Sequence, residues 1–409
     1  MTERFRSRLP RGVRAAALAL LGLFAFIVPA VAAGGVKEFL ATLDATEKKQ
    51  FEEYLAAKTT YDFELDAYWR AVSDKRALRK GKKGRGERLA AADYVRTFPP
   101  VYGGPELSQD LAKRWAAFQE QQEAAKKVPP KPRPNLEDFL AHAKAQYGFV
   151  PERIPEREFK LRYAREAAAF GLTKDQVVRV YALETSGLGT ADMVSGIHPV
   201  KRTGTPISTA IGYAQLLAAN STDELVQHGA KFIDRLKRMA GERGIDPARA
   251  AQLTAKADVL KKMLAAARSV PHQWESHVAY ARTEKGLGIH AINLDGDIGP
   301  WLQVVKLKGL KEMAARAGVS QLKGAEIELM NLAGPATGLE MMRPEAADAP
   351  TPNFFERGAY GRNTIVRGKT CAELMAALDK RMDENIVNAG AIEFAEVFDA
   401  VAAERQAAQ

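Results

Sequence analysis

Glu184 closes a stretch whose residue types and spacing could move a proton. Thr173 and Gln176 form a Thr-x-x-Gln capping box, which predicts a helix start at Thr173 because each side chain satisfies an orphan backbone donor. Val177, Val180, Tyr181 and Glu184 then recur at helical spacing and share one inward face. Thr185, Ser186 and Gly187 follow at once, with Gly187 suited to the C′ position, so Glu184 falls in the last turn, where unpaired carbonyls concentrate negative charge. Apolar surroundings and that end of the helix dipole both disfavour the ionised carboxylate. A carboxyl that keeps its proton near neutrality is a general acid. The same pattern also suits a structural glutamate that reaches water or pairs with Arg179, and the helix pattern by itself favours that plainer reading.

The surrounding residues tip the balance. Glu184-Thr185-Ser186-Gly187-Leu188-Gly189 is followed by Ser208-Thr209-Ala210-Ile211-Gly212-Tyr213-Ala214-Gln215-Leu216, and much later by Asn331-Leu332-Ala333-Gly334-Pro335. In this order the segments resemble the catalytic segments of lytic transglycosylases and goose-type lysozymes, in which a Glu is followed by Ser or Thr and Gly. The chain departs from that pattern at Ala210, where the family has Gly, at Leu332, which is an extra residue, and at Met330, where a Tyr is usual. The resemblance covers about a third of the chain, in pieces.

The resemblance implies a lysozyme-like helical catalytic domain and cleavage of the MurNAc–GlcNAc bond of peptidoglycan, with Glu184 as both acid and base and a 1,6-anhydro product. Glycosidic cleavage normally needs two carboxyl groups. In the family a single Glu suffices, because the sugar's own 6-hydroxyl attacks once the Glu has become basic. A hydrolase would need a second carboxylate, for which Asp192 is nearest and Asp295 and Asp297 more distant. Ser208, Tyr213, Gln215 and Asn331 are the substrate-binding positions that the resemblance implies. Taken by themselves, Ser208 equally suits a helix cap, Tyr213 a core position and Gln215 an amide bonded to backbone. A catalytically inactive wall-binding or scaffold protein that keeps the cleft is the alternative.

Other chemistries find little support. The six histidines, His142, His198, His228, His272, His277 and His290, show no H-E-x-x-H spacing, and no metal site is expected. Asp295 and Asp297 are not followed by a calcium loop. There is no Walker A, dinucleotide fingerprint or Gly-x-Ser-x-Gly elbow, so no cofactor is expected.

Residues 1–33 read as a cleavable secretory signal: five arginines, an apolar run from Ala15 to Val28, and Ala30-Val31-Ala32 as the cleavage site. The apolar run is shorter than the roughly 20 residues a membrane span needs, so a periplasmic or secreted protein is expected. The single cysteine, Cys371, excludes an intramolecular disulfide. The whole chain carries a net charge of +10, and removing the signal leaves about +6, a balance that suits an anionic wall polymer.

The elements that must position these residues are helical. The sequence predicts a mainly α architecture, with a helical N-terminal module over 34–127, a Pro-rich linker over 128–134, and a catalytic domain over 135–409 that carries a helical insertion at about 221–290. Asn135, Thr173, Ser221, Asp246, Ser320 and Thr370 are the predicted helix starts, and Pro206 is predicted to begin a helix carrying Tyr213 and Gln215. Between Lys75 and Arg88 lies a basic run broken by Gly81, Gly84 and Gly86, which reads as a flexible loop. That loop is the candidate contact with anionic wall polymer or a membrane surface; a solvated charge run is the plainer reading, and no nucleic-acid partner is expected.

Overall fold

The computed structural model describes residues 30–124 and 132–407. The signal expected over 1–33 lies outside the described residues up to position 29, and the proline stretch over 128–134 lies outside them up to position 131. Among the described residues the secondary structure is helical, with isolated β-bridges and no strand. No helix among them is long and apolar enough to cross a membrane.

Contacts divide the chain into two units. One runs through Asp66 and resumes at Pro100; the other comprises Ala67–Pro99 and the chain after residue 130. In the first unit, α1 (Ala30–Leu40), the opening part of α2 (Ala45–Gly84) and α3 (Gln109–Ala124) gather around Phe39, Phe51 and Leu111. Trp115 packs its ring 4.8 Å from Phe39 and 4.9 Å from Phe51. The aromatic spacing of the sequence becomes a small aromatic core.

The second unit continues with α4 (Leu136–Tyr147), α5 (Glu156–Ala169), α6 (Lys174–Thr185), α7 (Ala218–Ala240), α8 (Pro247–Ala267), α9 (Trp274–Tyr280) and α10 (Glu284–His290). Then come α11 (Gly299–Arg316), α12 (Gly324–Ala333), α13 (Pro335–Met341), α14 (Arg357–Arg362), α15 (Cys371–Asn385) and α16 (Ala389–Ala407). This unit has two apolar cores, and α11 takes part in both. Val304, Leu307, Leu310 and Ala314 face the core built by α5, α6, α12, α15 and α16. Trp301, Leu302 and Val305 face the core built by α4, α7, α8 and α10. The first half of α11, from Gly299 to Val305, is buried on every side, and there the helix is the partition between the two cores.

Several helix starts follow from local chemistry. Asn135 accepts from Asp138 N, Thr173 from Gln176 N, Asp246 from Arg249 N and Thr370 from Glu373 N, so the capping residues read from the sequence perform as caps. Others differ. The helix expected from Ser221 begins a turn earlier, at Ala218, because Asn220 accepts from Leu217 N, and Ser221 is buried inside it. The helix expected from Ser320 starts at Gly324, after Lys323. His272–Gly286, read as a single helix, contains α9 and the start of α10, separated by a turn.

The first part of the basic run is not a loop. Helix α2 continues through Gly81 to Gly84, and Arg76, Arg79, Lys82 and Lys83 on it pair with acids, while Lys80, Arg85 and Arg88 stay exposed. Arg79 is 2% exposed; its guanidinium bonds Glu340 Oε1 at 2.7 Å, Asn353 O at 2.8 Å and Asp93 O at 3.1 Å, and lies 4.5 Å over the Tyr94 ring. Lys82 pairs with Asp93 at 2.8 Å, Lys83 pairs with Glu340, and Arg76 pairs with Glu356. The module expected over 34–127 is divided as a result: residues 67–99 belong to the same compact unit as the C-terminal helices.

If Arg79 ties this segment to the C-terminal helices, Arg79→Met should lower stability to urea by about 3–5 kcal/mol, because Glu340 loses a buried partner and two carbonyls lose their donor. Lys80→Met, at an exposed neighbouring position, should stay within about 0.5 kcal/mol of the parent. Equal losses would mean the run is merely solvated charge.

Candidate active site

Helices α6 and α12 are pinned together at their beginnings. Gln176 Nε2 donates to Leu322 O at 2.7 Å, and Gly324 N donates to Asp175 Oδ2 at 3.0 Å. Gly324 is required for this approach: a Cβ there would stand 2.9 Å from Arg179 Cβ and 3.0 Å from Asp175 O. Tied at that end, the two helices run side by side and bring their last turns together. Asn331 Nδ2 then donates to Glu184 Oε1 at 2.9 Å. Both helix C-termini add partial negative charge at this point, which disfavours further anions.

The end of α6 is fixed by its neighbours. Ser186 and Gly187 both take left-handed conformations, with φ of 54° and 63°. A Cβ on Gly187 would meet Asn385 O at 2.2 Å, so only glycine permits the close approach. Ala391 N donates to Gly187 O at 3.0 Å and Asn388 Nδ2 to Ser186 O at 2.9 Å, so the link after α15 and the first turn of α16 supply the missing donors. Arg179 has other partners: it bonds Asp379 at 2.6 Å and Asp383 at 2.7 Å, and Asp175 lies 3.5 Å away. The pairing of Glu184 with Arg179 is thereby replaced by an inward-facing carboxyl.

Glu184, half-buried, belongs to a cluster that the sequence did not reveal. Glu328 of α12 is 3% exposed, and its carboxyl group hydrogen-bonds that of Glu184. Lys306 of α11 attracts both carboxyl groups, and also that of Glu224 on α7. Burial raises Glu184 to about 7, while attraction to Lys306 and bonds from Glu328 and Asn331 oppose the rise. Glu328 is pushed well above the ordinary carboxylate range by burial and by the charge of Glu184. Burial also lowers Lys306, although the acids around it pull the other way. Glu224 is raised to about 7 by burial and by its neighbour Asp223, with Lys306 opposing. One cation among three acids leaves carboxylate charge uncompensated, which favours the protonated forms of Glu184, Glu224 and Glu328.

A cleft of about 890 Å³ runs beside this cluster, with Glu224, Lys306 and Asn331 among its walls and Trp274 at its edge. Glu184 lies behind Asn331, not on the wall itself. Of the positions expected to bind substrate, only Asn331 reaches this cleft. Tyr213 is 1% exposed, bonds Glu156 through its hydroxyl and packs against Phe159, Tyr163, Tyr181 and Phe394. Gln215 donates to Gly212 O at 2.9 Å and Met193 O at 3.3 Å, so its amide is bound to backbone. Ser208 Oγ accepts from Ala210 N at 3.1 Å. The segment that holds them is not the helix expected after Pro206; it is a loop closed by bridges pairing Ile211 with Val194 and with Leu216.

The second-carboxylate candidates are held elsewhere. Asp192 is clamped by Arg153 at 2.8 Å and Arg202 at 2.9 Å; burial opposes its ionisation, but bonds from Thr190 and the two arginines hold it down at about 2. Asp295 and Asp297 pair with Lys256 at 3.0 and 2.5 Å. The acids that do meet Glu184 left faint traces in the sequence. Glu328 and Asn331 are three residues apart and so share a helical face, and Lys306 interrupts the apolar run Val304-Val305-Lys306-Leu307. Among the described residues, Asp223, His272 and His277 form the one grouping with metal-site spacing. Comparison of the chain with protein-family models, curated proteins and solved structures gave no match.

The raised Glu184 has a measurable signature. Between pH 4.5 and about 7 the folded chain holds a proton that the unfolded chain releases, so stability should fall as pH rises through this window and level off above it. Glu184→Gln carries no such proton. The difference between parent and variant in urea melts should grow across the same window, leaving the variant about 1–3 kcal/mol more stable at pH 8. A constant difference would mean that Glu184 is ionised throughout.

Proposed function

We propose that the chain is a secreted or periplasmic lytic transglycosylase with a lysozyme-like catalytic unit, acting on peptidoglycan glycan strands with Glu184 as acid and base. The observation that carries this reading is the 2.9 Å bond between Asn331 and Glu184. Two segments singled out by the family resemblance, 147 positions apart, supply the two partners. The chemistry of the pair supports the reading as well. A carboxyl raised to about 7 can lend a proton to the leaving glycosidic oxygen and then, as a carboxylate, take one from the sugar's 6-hydroxyl. Lys306 and the proton held by Glu328 stabilise that carboxylate between the two steps. The adjoining cleft has room for a few sugar units, and the exposed Trp274 at its edge offers a face for stacking.

The alternative is an inactive wall-binding protein that keeps the cleft. It draws on the position of Glu184 behind Asn331 and on the inward orientation of Tyr213 and Gln215.

Purified protein incubated with peptidoglycan separates the two readings. An active enzyme should release anhydro-muropeptides, detectable by mass. Glu184→Gln should lower the rate at least about a thousandfold while leaving the helical circular dichroism unchanged. Binding to peptidoglycan with no product from the parent protein would establish the inactive reading, and reducing-end products lacking the anhydro bridge would mark a hydrolase.

A further inference from the structure

Helix α7 and the segment that opens α9 meet beside the same cleft, and there the chain places two imidazoles against one carboxylate. Asp223 Oδ1 stands 3.1 Å from His272 Nε2 and 3.0 Å from His277 Nδ1. One ligand-type atom from each of the three residues lies within 4.8 Å of the other two. The imidazoles are nearly parallel, 5.3 Å apart and inclined by 24°. Gln227 Nε2 donates to Asp223 Oδ2 at 2.6 Å, which fixes the carboxylate and leaves Oδ1 turned toward the histidines.

His277 is the anomaly. Its side chain is wholly buried, and neither ring nitrogen has a hydrogen-bond partner. Nδ1 is near Asp223 Oδ1 without the alignment that a hydrogen bond needs. An imidazole buried with both nitrogens unsatisfied is costly and calls for an explanation. A metal ion supplies one, because it takes the nitrogen lone pair along a direction that need not point at the carboxylate oxygen. The spacing also suits it. Ligands about 2.0–2.2 Å from a tetrahedral zinc lie about 3.3 Å from one another; the 3.0 and 3.1 Å contacts to Asp223 reach that with shifts of a few tenths of an ångström, and the two imidazoles, whose ligand atoms lie within 4.8 Å, close the rest by side-chain rotation.

We infer that Asp223, His272 and His277 bind a zinc-class divalent ion at the edge of the cleft. Two imidazoles and a carboxylate select a borderline transition ion over calcium or magnesium, which require mostly oxygen ligands. Three protein ligands leave a fourth position open, and Asp223 lies on the cleft wall. The ion joins α7 to the segment bearing Trp274, two residues after His272, and so orders one side of the cleft. Nothing in this assignment depends on the transglycosylase reading.

The test uses full-length chain without a polyhistidine tag, freed of metal with a chelator. Titration with zinc in a calorimeter should show one ion bound per chain, and cobalt(II) should develop the visible bands of a tetrahedral site. Zinc should also raise the melting temperature. His272→Ala alters an exposed side chain and should leave the fold intact while weakening zinc more than about a hundredfold; Gln227→Ala, beyond the ligands, should weaken it about 10–100-fold. Loss of binding in His272→Ala with unchanged circular dichroism supports the site. Absence of saturable binding to the parent, or unchanged affinity in both His272→Ala and Asp223→Asn, overturns it.

Discussion

A lysine on the helix that joins two cores sets the electrostatics of the acidic cluster. Helix α11 packs into both cores of the larger unit, so Lys306 projects from the partition between them toward acids supplied by three other helices. With one cation facing Glu184, Glu224 and Glu328, full ionisation would leave carboxylate charge uncompensated, which favours their protonated forms. Burial displaces all three carboxyls upward, and Lys306, carried by α11, restrains the rise in each.

The helix ends reinforce that constraint. Because α6 and α12 are joined at their beginnings by Gln176 and Asp175, their C-terminal turns converge on the same point, and each brings unpaired carbonyl density to it. Asn331 supplies a neutral donor where another acid could not stay ionised. The glycines at 187 and 324 belong to the same device: each stands where a Cβ would collide with a neighbouring backbone or side chain, so each permits the helix contacts that hold the cluster in register.

The basic segment shows a different outcome of the same physics. Between Lys75 and Arg88 the glycines suggest mobility, yet Gly81 lies within a continuous helix because Arg79, Lys82 and Lys83 find anionic partners on the packed unit. A glycine costs a helix about 1 kcal/mol, and several ion pairs with hydrogen bonds to carbonyls outweigh it. Part of the charge that reads in the sequence as an outward-facing patch is engaged within the protein, through Arg79, Lys82 and Lys83, while Lys80, Arg85 and Arg88 remain exposed.

The sequence by itself determined the mainly helical class, the starts of the helices at Asn135, Thr173, Asp246 and Thr370, and the place of Glu184 in a final turn, because caps and helical faces are decided by residues within four positions of one another. Only the tertiary structure decided that Glu328, Asn331 and Lys306 meet Glu184, that Tyr213 belongs to the core and Gln215 to its own loop, and that His272 and His277 meet Asp223. Burial and charge depend on neighbours brought together from tens to hundreds of positions away, and no local spacing encodes which of them will meet.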